Sequence, residues 1–304
     1  MKRFKKILYV NEPSVADKSA PRRAVQLARS NNASLSVCDA NPELPRTLVT
    51  LQDTYDQIHK QQLMQSFENA DMEGVDSNTI LLTGTPFIEV IREVQRGKHD
   101  LVIKSAEGST GTLDNLFGVT DMHLMRKCPC PVWIFKPEKQ EEHKCIVAAV
   151  DPDPNMEANA ELNKLILELA SSLAREECSE LHIVHVWFLQ NEDLLRSIGM
   201  GLESTEVDEL VEETRVEHEK WLDELLSEYD LTDLTTKVHL IKGEPGSEIP
   251  KLVAKVEADL VVMGTVARTG IAGFFIGNTA EKILHSVDSS VLTVKPSSFQ
   301  TPVR

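Results

Sequence analysis

Short continuous apolar runs alternate with longer amphipathic stretches along the whole chain. Ile7-Leu8-Tyr9-Val10 and Leu101-Val102-Ile103 are such runs, and an unbroken apolar run suits a parallel strand buried on both faces. The spacing predicts strands over residues 4–10, 34–39, 78–83, 100–104 and 131–135, with helices over 17–31, 48–70, 86–96 and 119–127 between them. The pattern then repeats. Strands are predicted near 144–150, 180–187, 236–241, 259–263 and 290–294, and helices near 157–177, 205–229, 246–256 and 278–286. Pro86 and Pro245 fall near helix starts, where a missing N–H costs nothing. Strand–helix alternation implies an α/β fold, a parallel sheet with right-handed crossovers and helices on both faces.

The second half is a copy of the first. Leu82-Thr83-Gly84-Thr85-Pro86-Phe87-Ile88-Glu89 matches Ile241-Lys242-Gly243-Glu244-Pro245-Gly246-Ser247-Glu248, an offset of 159. The same offset carries Asp100-Leu101-Val102-Ile103 onto Asp259-Leu260-Val261-Val262, Gly118 onto Gly277 and Lys136-Pro137 onto Lys295-Pro296. Near the copy starts the offset is 140, pairing Val10-Asn11 with Val150-Asp151, so the second copy holds about 19 extra residues in its middle. Two domains follow, 1–138 and 143–304, joined by the polar segment Pro137–His143.

Composition narrows the function classes. A chain of 304 residues suits two cores of about 150 residues each. No apolar run approaches the ~20 residues that span a bilayer, and the basic start before Ile7 has too short an apolar run for a secretory signal. A cytoplasmic location, with no membrane partner, is expected. The five cysteines are odd in number and irregular in spacing, which argues against a disulfide framework. Cys128-Pro129-Cys130 is too tight and isolated for zinc and reads as a strand edge. His182 and His185 lie three apart in a strand, so they should face opposite sides rather than share a metal. Residues 1–138 hold 17 basic and 17 acidic side chains, so the whole formal charge of −16 lies in the second half. Much of it falls between Glu203 and Asp230, in an amphipathic stretch with Val207, Leu210, Val211, Trp221, Leu222, Leu225 and Leu226 on its apolar side. No basic stripe is present to neutralise phosphates, so nucleic acid is not an expected partner.

Candidate chemistry gathers late in each copy. Val261-Val262-Met263-Gly264 ends a strand, a glycine-containing loop follows through Gly270, and Gly277-Asn278-Thr279-Ala280-Glu281 opens a helix. Small residues let a ligand approach the backbone, and a helix N-terminus offers free N–H groups to an anion. The segment reads either as a phosphate cradle or as a plain strand–loop–helix connection. It resembles the signature of the universal stress protein family: a strand-end Gly, two residues, a second Gly, and nine residues later a third Gly followed by Ser or Thr. Gly264 and Gly277 match the first and third glycines, while Ala267 and Asn278 depart from the pattern. Asp151 resembles the family Asp at the first strand end, and the glycine–proline elements at 84–86 and 243–245 fit the family as well.

The resemblance implies a five-stranded parallel sheet of order 3-2-1-4-5 in each copy and, in members that retain the signature, ATP or a related adenine nucleotide. By position, Ala149 and Asp151 would lie near the adenine and Met263 and Gly264 along the ribose. Ala267, Arg268, Gly277, Asn278, Thr279 and Ala280 would surround the phosphates, with Val266 in the same loop. In the first copy Asn11 replaces the Asp, Lys104-Ser105 replaces Met263-Gly264, and Val119 replaces the polar residue after Gly118. Nucleotide is therefore expected at the second domain only. Single-domain relatives dimerise through the last strand, so Pro131–Phe135 and Ser290–Val294 imply an internal pseudo-dimer, with further homo-oligomers left open. The expected activity is ligand binding in a stress response. A slow ATPase, or a binder of an amphipathic or acylated metabolite, stands as the alternative. Neither a GxxxxGK[ST] loop nor a GxSxG elbow is present to support efficient catalysis.

Overall fold

Strands and helices alternate along the chain in the structure, a computed structural model describing residues 3–13, 15, 19–68, 70–107, 117–136, 144–197, 203–265 and 277–304. The expected linker, 137–143, lies outside the described residues. The chain divides into two compact units, the first holding β1 to β5 together with β10 and the second β6 to β9.

In the first unit the strands are β1 (Lys6–Val10), β2 (Ser34–Asn41), β3 (Ser77–Thr83), β4 (Leu101–Ser105) and β5 (Val132–Phe135). They are parallel in the order β3-β2-β1-β4-β5. The register sets Ile7 against Leu35 and Leu101, and Ile103 against Trp133. These side chains are buried, and each contributes about 1.5–3 kcal/mol by leaving water. The helices are α1 (Ser19–Asn31), α2 (Gln52–Ser66), α3 (Pro86–Gly97) and α4 (Val119–Lys127). In α1, Ala20, Ala24, Leu27 and Ala28 are buried, the i, i+4, i+7, i+8 stripe of a helix lying on a sheet. The predicted helix over 48–70 begins instead as a 3-10 turn, Arg46–Leu51.

The fifth strand of the second half, β10 (Ser290–Val294), groups with this first unit. It runs antiparallel to β5, with Val291 opposite Ile134 and Leu292 opposite Trp133. The two apolar last-strand segments are thus each other's partner.

In the second unit β6 (Cys145–Ala149), β7 (Glu180–Trp187), β8 (Thr236–Lys242) and β9 (Leu260–Gly264) are parallel in the order β8-β7-β6-β9. Helices α5 (Glu157–Glu177), α7 (Ser204–Leu226), α8 (Pro245–Lys255) and α9 (Asn278–Ser286) fall where the periodicity placed them. A short α6 (Glu192–Leu195) was not foreseen. The apolar stripe of α7 is less buried than its sequence suggests. Val207 and Leu222 are buried, whereas Leu210 and Val216 are exposed. At 23 residues the helix is about 35 Å long, while the eight-residue β7 beneath it spans about 26 Å. The helix outruns its sheet.

The repeated glycine–proline element has a backbone cause. Gly84 and Gly243 have φ of 140° and 145°, outside what other L-residues adopt readily. Their amides donate to Asn41 O and Trp187 O, tying the turn to the neighbouring strand end. The first-turn Glu89 and Glu248 fold over them, so an added Cβ would sit 3.0 Å and 2.7 Å from the respective Cγ atoms. Gly243→Ala is expected to lower stability by about 1–3 kcal/mol, read as a fall in the urea midpoint, with Gly84→Ala behaving alike. An unchanged midpoint in both would mean that the turn relaxes without strain.

Candidate functional site

In each half one strand lies between neighbours reached by connections running in opposite directions: β1 between β2 and β4, and β6 between β7 and β9. Such a switch point opens a crevice outside the carboxyl ends of the strands.

In the second half this crevice is bordered by residues singled out from sequence. Ala149, at the end of β6, lies opposite Met263 of β9. Ala149, Asp151 and Gly264 are half-buried and Met263 is buried. The backbone of Asp151 is clamped from α5: its N–H donates to Asn163 Oδ1 (2.9 Å), and the Asn163 amide donates to its carbonyl (2.8 Å). The Asn159 amide donates to Asp151 Oδ2 at 3.0 Å. Asn159 and Asn163 escaped the sequence reading, although their i, i+4 spacing on one helix face was visible. Among the described residues no packing demands a glycine at Gly264: its φ is not in the left-handed range, and the atoms nearest an added Cβ belong to Leu162, at an ordinary 3.4 Å.

Gly277 immediately precedes α9, and its N–H donates to Thr265 O at 3.2 Å. Asn278 and Thr279, in the first turn of α9, are exposed, and Ala280 is buried. Val266, Ala267 and Arg268 lie outside the described residues. Beside Asp151, the Val150 carbonyl is 3.3 Å from His185 Nδ1, whose Nε2 lies 2.8 Å from His218 Nδ1. A carbonyl only accepts, so a neutral His185 would carry its proton on Nδ1 and take the His218 Nδ1–H on Nε2. The Trp187 and Trp221 rings flank His218. His182 pairs instead with His239 of β8, 3.0 Å away, so the two strand histidines have separate partners. Among the described residues no group of three or more His, Cys, Asp or Glu is placed to hold a metal ion, and no helix is long and apolar enough to cross a membrane.

The first half fills the corresponding place with its own charges. Lys104, aligned with Met263, is buried, and its Nζ donates to Glu12 Oε2 (2.8 Å), Asp121 Oδ1 (2.9 Å) and the Ser105 carbonyl (3.0 Å). Asp121, aligned with Ala280, is fully buried and accepts from the backbone N–H of Glu107 (2.8 Å) and of Gly118 (3.1 Å) on Oδ2. These are amides of the loop and of the residue that caps α4, groups that would otherwise face an anion. Burial alone would lower the lysine pKa. The Asp121 and Glu12 carboxylates outweigh it and hold Lys104 above its ordinary value. A Cβ on Gly118 would overlap the Glu107 side chain, so these two residues lie directly against one another.

Known proteins place this architecture. The model of the universal stress protein family matches residues 3–136 and again 143–295. Universal stress protein E of Escherichia coli (strain K12) is 32% identical over 321 residues, covering 100% of this chain and 98% of that protein. Among solved structures, a functionally unknown protein PA1789 from Pseudomonas aeruginosa PAO1 aligns with a TM-score of 0.72 at 24% identity, over 97% of this chain and 94% of that one. A universal stress protein from Archaeoglobus fulgidus DSM 4304 gives 0.60 at 14% identity, over 95% and 98%. The structural likenesses speak to the fold. With both halves matched by the family model and a relative similar along the whole chain, this protein belongs to the universal stress protein family.

Proposed function

We propose that the protein is a cytoplasmic stress-response binding protein that takes one adenine nucleotide per chain, ATP first among them, at its second domain. Residues 143–304 form that domain and residues 1–138 a domain whose own site is closed. The observation that carries this reading is the contrast between the halves. Where the first half sets the Lys104 ammonium and the Asp121 carboxylate, the second has Met263 and Ala280. The Gly118 amide that Asp121 occupies ahead of α4 has its counterpart in Gly277 ahead of α9, which bonds the Thr265 carbonyl, with no carboxylate at the aligned position 280. Among the described residues Gly264 has no contact that requires a glycine, which leaves room for a sugar or phosphate to approach the backbone. Asp151, held by Asn159 and Asn163, presents a fixed carboxylate at the neighbouring strand end.

Calorimetric titration of the full chain with ATP is expected to show a single site, and Asp151→Ala, which leaves the Asn163 clamp on the backbone intact, to weaken it. Two equivalent sites per chain, or binding indifferent to Asp151, would count against the assignment.

A further inference from the structure

Lys136 and Lys295 hold the same place in the two repeats, each directly after the last strand of its copy. Their surroundings differ in one respect. Lys136 Nζ donates to the Val287 carbonyl (3.3 Å) and pairs with Asp288 Oδ1 at 2.7 Å. Lys295 Nζ donates to the Met125 carbonyl (2.7 Å) and lies 5.2 Å from the centre of the Phe299 ring. The residue aligned with Asp288 is Pro129, which carries no charge, and on either side of it stand Cys128 and Cys130.

Lys295 is 5% exposed, and among the described residues no carboxylate is one of the groups that act on its charge. A buried ammonium with one carbonyl for company is costly unless something anionic offsets it. The groups available are the two thiols, whose sulfurs are 3.6 Å apart. Proline on both sides of Cys130 fixes φ at 129 and 131 and narrows the wandering of the pair.

Proton affinities in the cluster follow its geometry. Burial raises Cys128, but the hydrogen bond from Cys130, the Lys295 charge and a backbone hydrogen bond more than reverse this, leaving Cys128 below an ordinary thiol. Cys130, bonded to Cys128 and buried, is pushed up. Burial brings Lys295 down to about 8, against the pull of the two cysteines. Other cysteines shift in the opposite direction: burial pushes Cys38 far up, and Cys145 to about 11 despite the Lys237 charge. The two sulfurs and the buried ammonium thus form one cluster in which the proton is held less tightly on Cys128 than on Cys130.

We propose that Cys128 and Cys130 form an oxidisable dithiol, with Lys295 positioning Cys128 as the attacking thiolate and hydrogen peroxide as the oxidant. The Cys128 thiolate attacks one peroxide oxygen. The O–O bond breaks, and the departing hydroxide takes a proton from Lys295 to leave as water. The Cys130 sulfur then attacks the sulfenic sulfur, the S–O bond breaks, and the second hydroxide leaves as water with the Cys130 proton. Two thiol sulfurs are oxidised to one disulfide, and one peroxide is reduced to two waters. Lys295 ends as a neutral amine, so the loss of its counter-ion does not strand a buried charge. Cys128 is fully buried and Cys130 is 9% exposed, so the oxidant must be as small as hydrogen peroxide.

The test uses the full chain carrying Cys178→Ser, which removes the exposed thiol. It is treated with hydrogen peroxide, denatured, alkylated and weighed intact. The expected product lacks two hydrogens, has two fewer alkylated cysteines, and is restored by dithiothreitol, with the bridge mapped to Cys128 and Cys130. Lys295→Met should slow its formation roughly tenfold near neutral pH and move the pH midpoint of the rate upward, because less thiolate is present. Full alkylation of Cys128 and Cys130 after peroxide, or over-oxidation of one without a bridge, would overturn the proposal without need of any variant. So would a folded Lys295→Met protein that oxidises at the wild-type rate with the wild-type pH profile.

Discussion

Lys104→Met is expected to lower the unfolding free energy by about 3–5 kcal/mol, the loss typical when one partner of a buried ion pair is removed. The substitution copies the second repeat, where Met263 holds the aligned position, so a methionine fits the strand. What it leaves behind is the difficulty. Asp121 keeps its two amide donors but loses the ammonium 2.9 Å away, and it is fully buried. Glu12 loses the same ammonium, with less consequence because it is only half-buried. Adding Asp121→Ala, again the second-repeat residue, removes the stranded charge. The double variant is therefore expected to be more stable than Lys104→Met alone, and the recovery measures the coupling of the pair. Urea midpoints of wild type, both single variants and the double variant make the test. Additive losses would show that Lys104 and Asp121 do not sense one another. The pH dependence has a definite sign. The folded-state pKa of Lys104 is raised, so its contribution is complete throughout the neutral range. It is lost only as pH climbs through that raised value, beyond the ordinary lysine pKa.

This ion cluster also marks where the sequence stopped being informative. Lys104 is visible in the sequence only as a lost glycine motif next to a strand. Its meaning depends on Glu12, 92 residues away, and Asp121, 17 residues away, meeting at one ammonium. No periodicity carries that information, because a buried charge inside an apolar run looks like noise until its partners are placed. The strands themselves were legible for the opposite reason. Leu101-Val102-Ile103 is buried on both faces, so the pattern is unbroken, and the 159-residue repeat supplies each element twice. The Asn159–Asn163 clamp lies between these cases: its spacing could be read, but not its target, the backbone of Asp151. Helix α6 has four residues, too few to establish a period. For α7 the stripe was real, but its burial depends on the length of the sheet beneath, which a helical pattern does not encode.

Gly277→Asp is expected to weaken ATP binding by roughly ten- to hundredfold, about 1.4 to 2.8 kcal/mol, if the phosphates lie at the start of α9 as proposed. The comparison with the first repeat gives the reason. There, a carboxylate from Asp121 already sits on the Gly118 amide at the start of α4. Gly277→Asp would bring a carboxylate to the aligned turn of the second repeat by a different residue. Two like charges about 4 Å apart at an effective dielectric near 20 repel by about 4 kcal/mol, and solvent at this half-buried position reduces that toward the stated range. The fold should survive, since Asp is favourable just ahead of a helix and complements its dipole. Gly277→Ala separates the effects, because it adds a side chain without charge. A large loss in Asp and little in Ala assigns the effect to electrostatics at an anion site. Equal losses in both assign it to the space or backbone freedom the glycine provides beside Thr265, whose carbonyl it already bonds. Wild-type affinity in both folded variants would move the phosphates away from α9, leaving Asp151 and the β6–β9 crevice to hold the ligand by its other end.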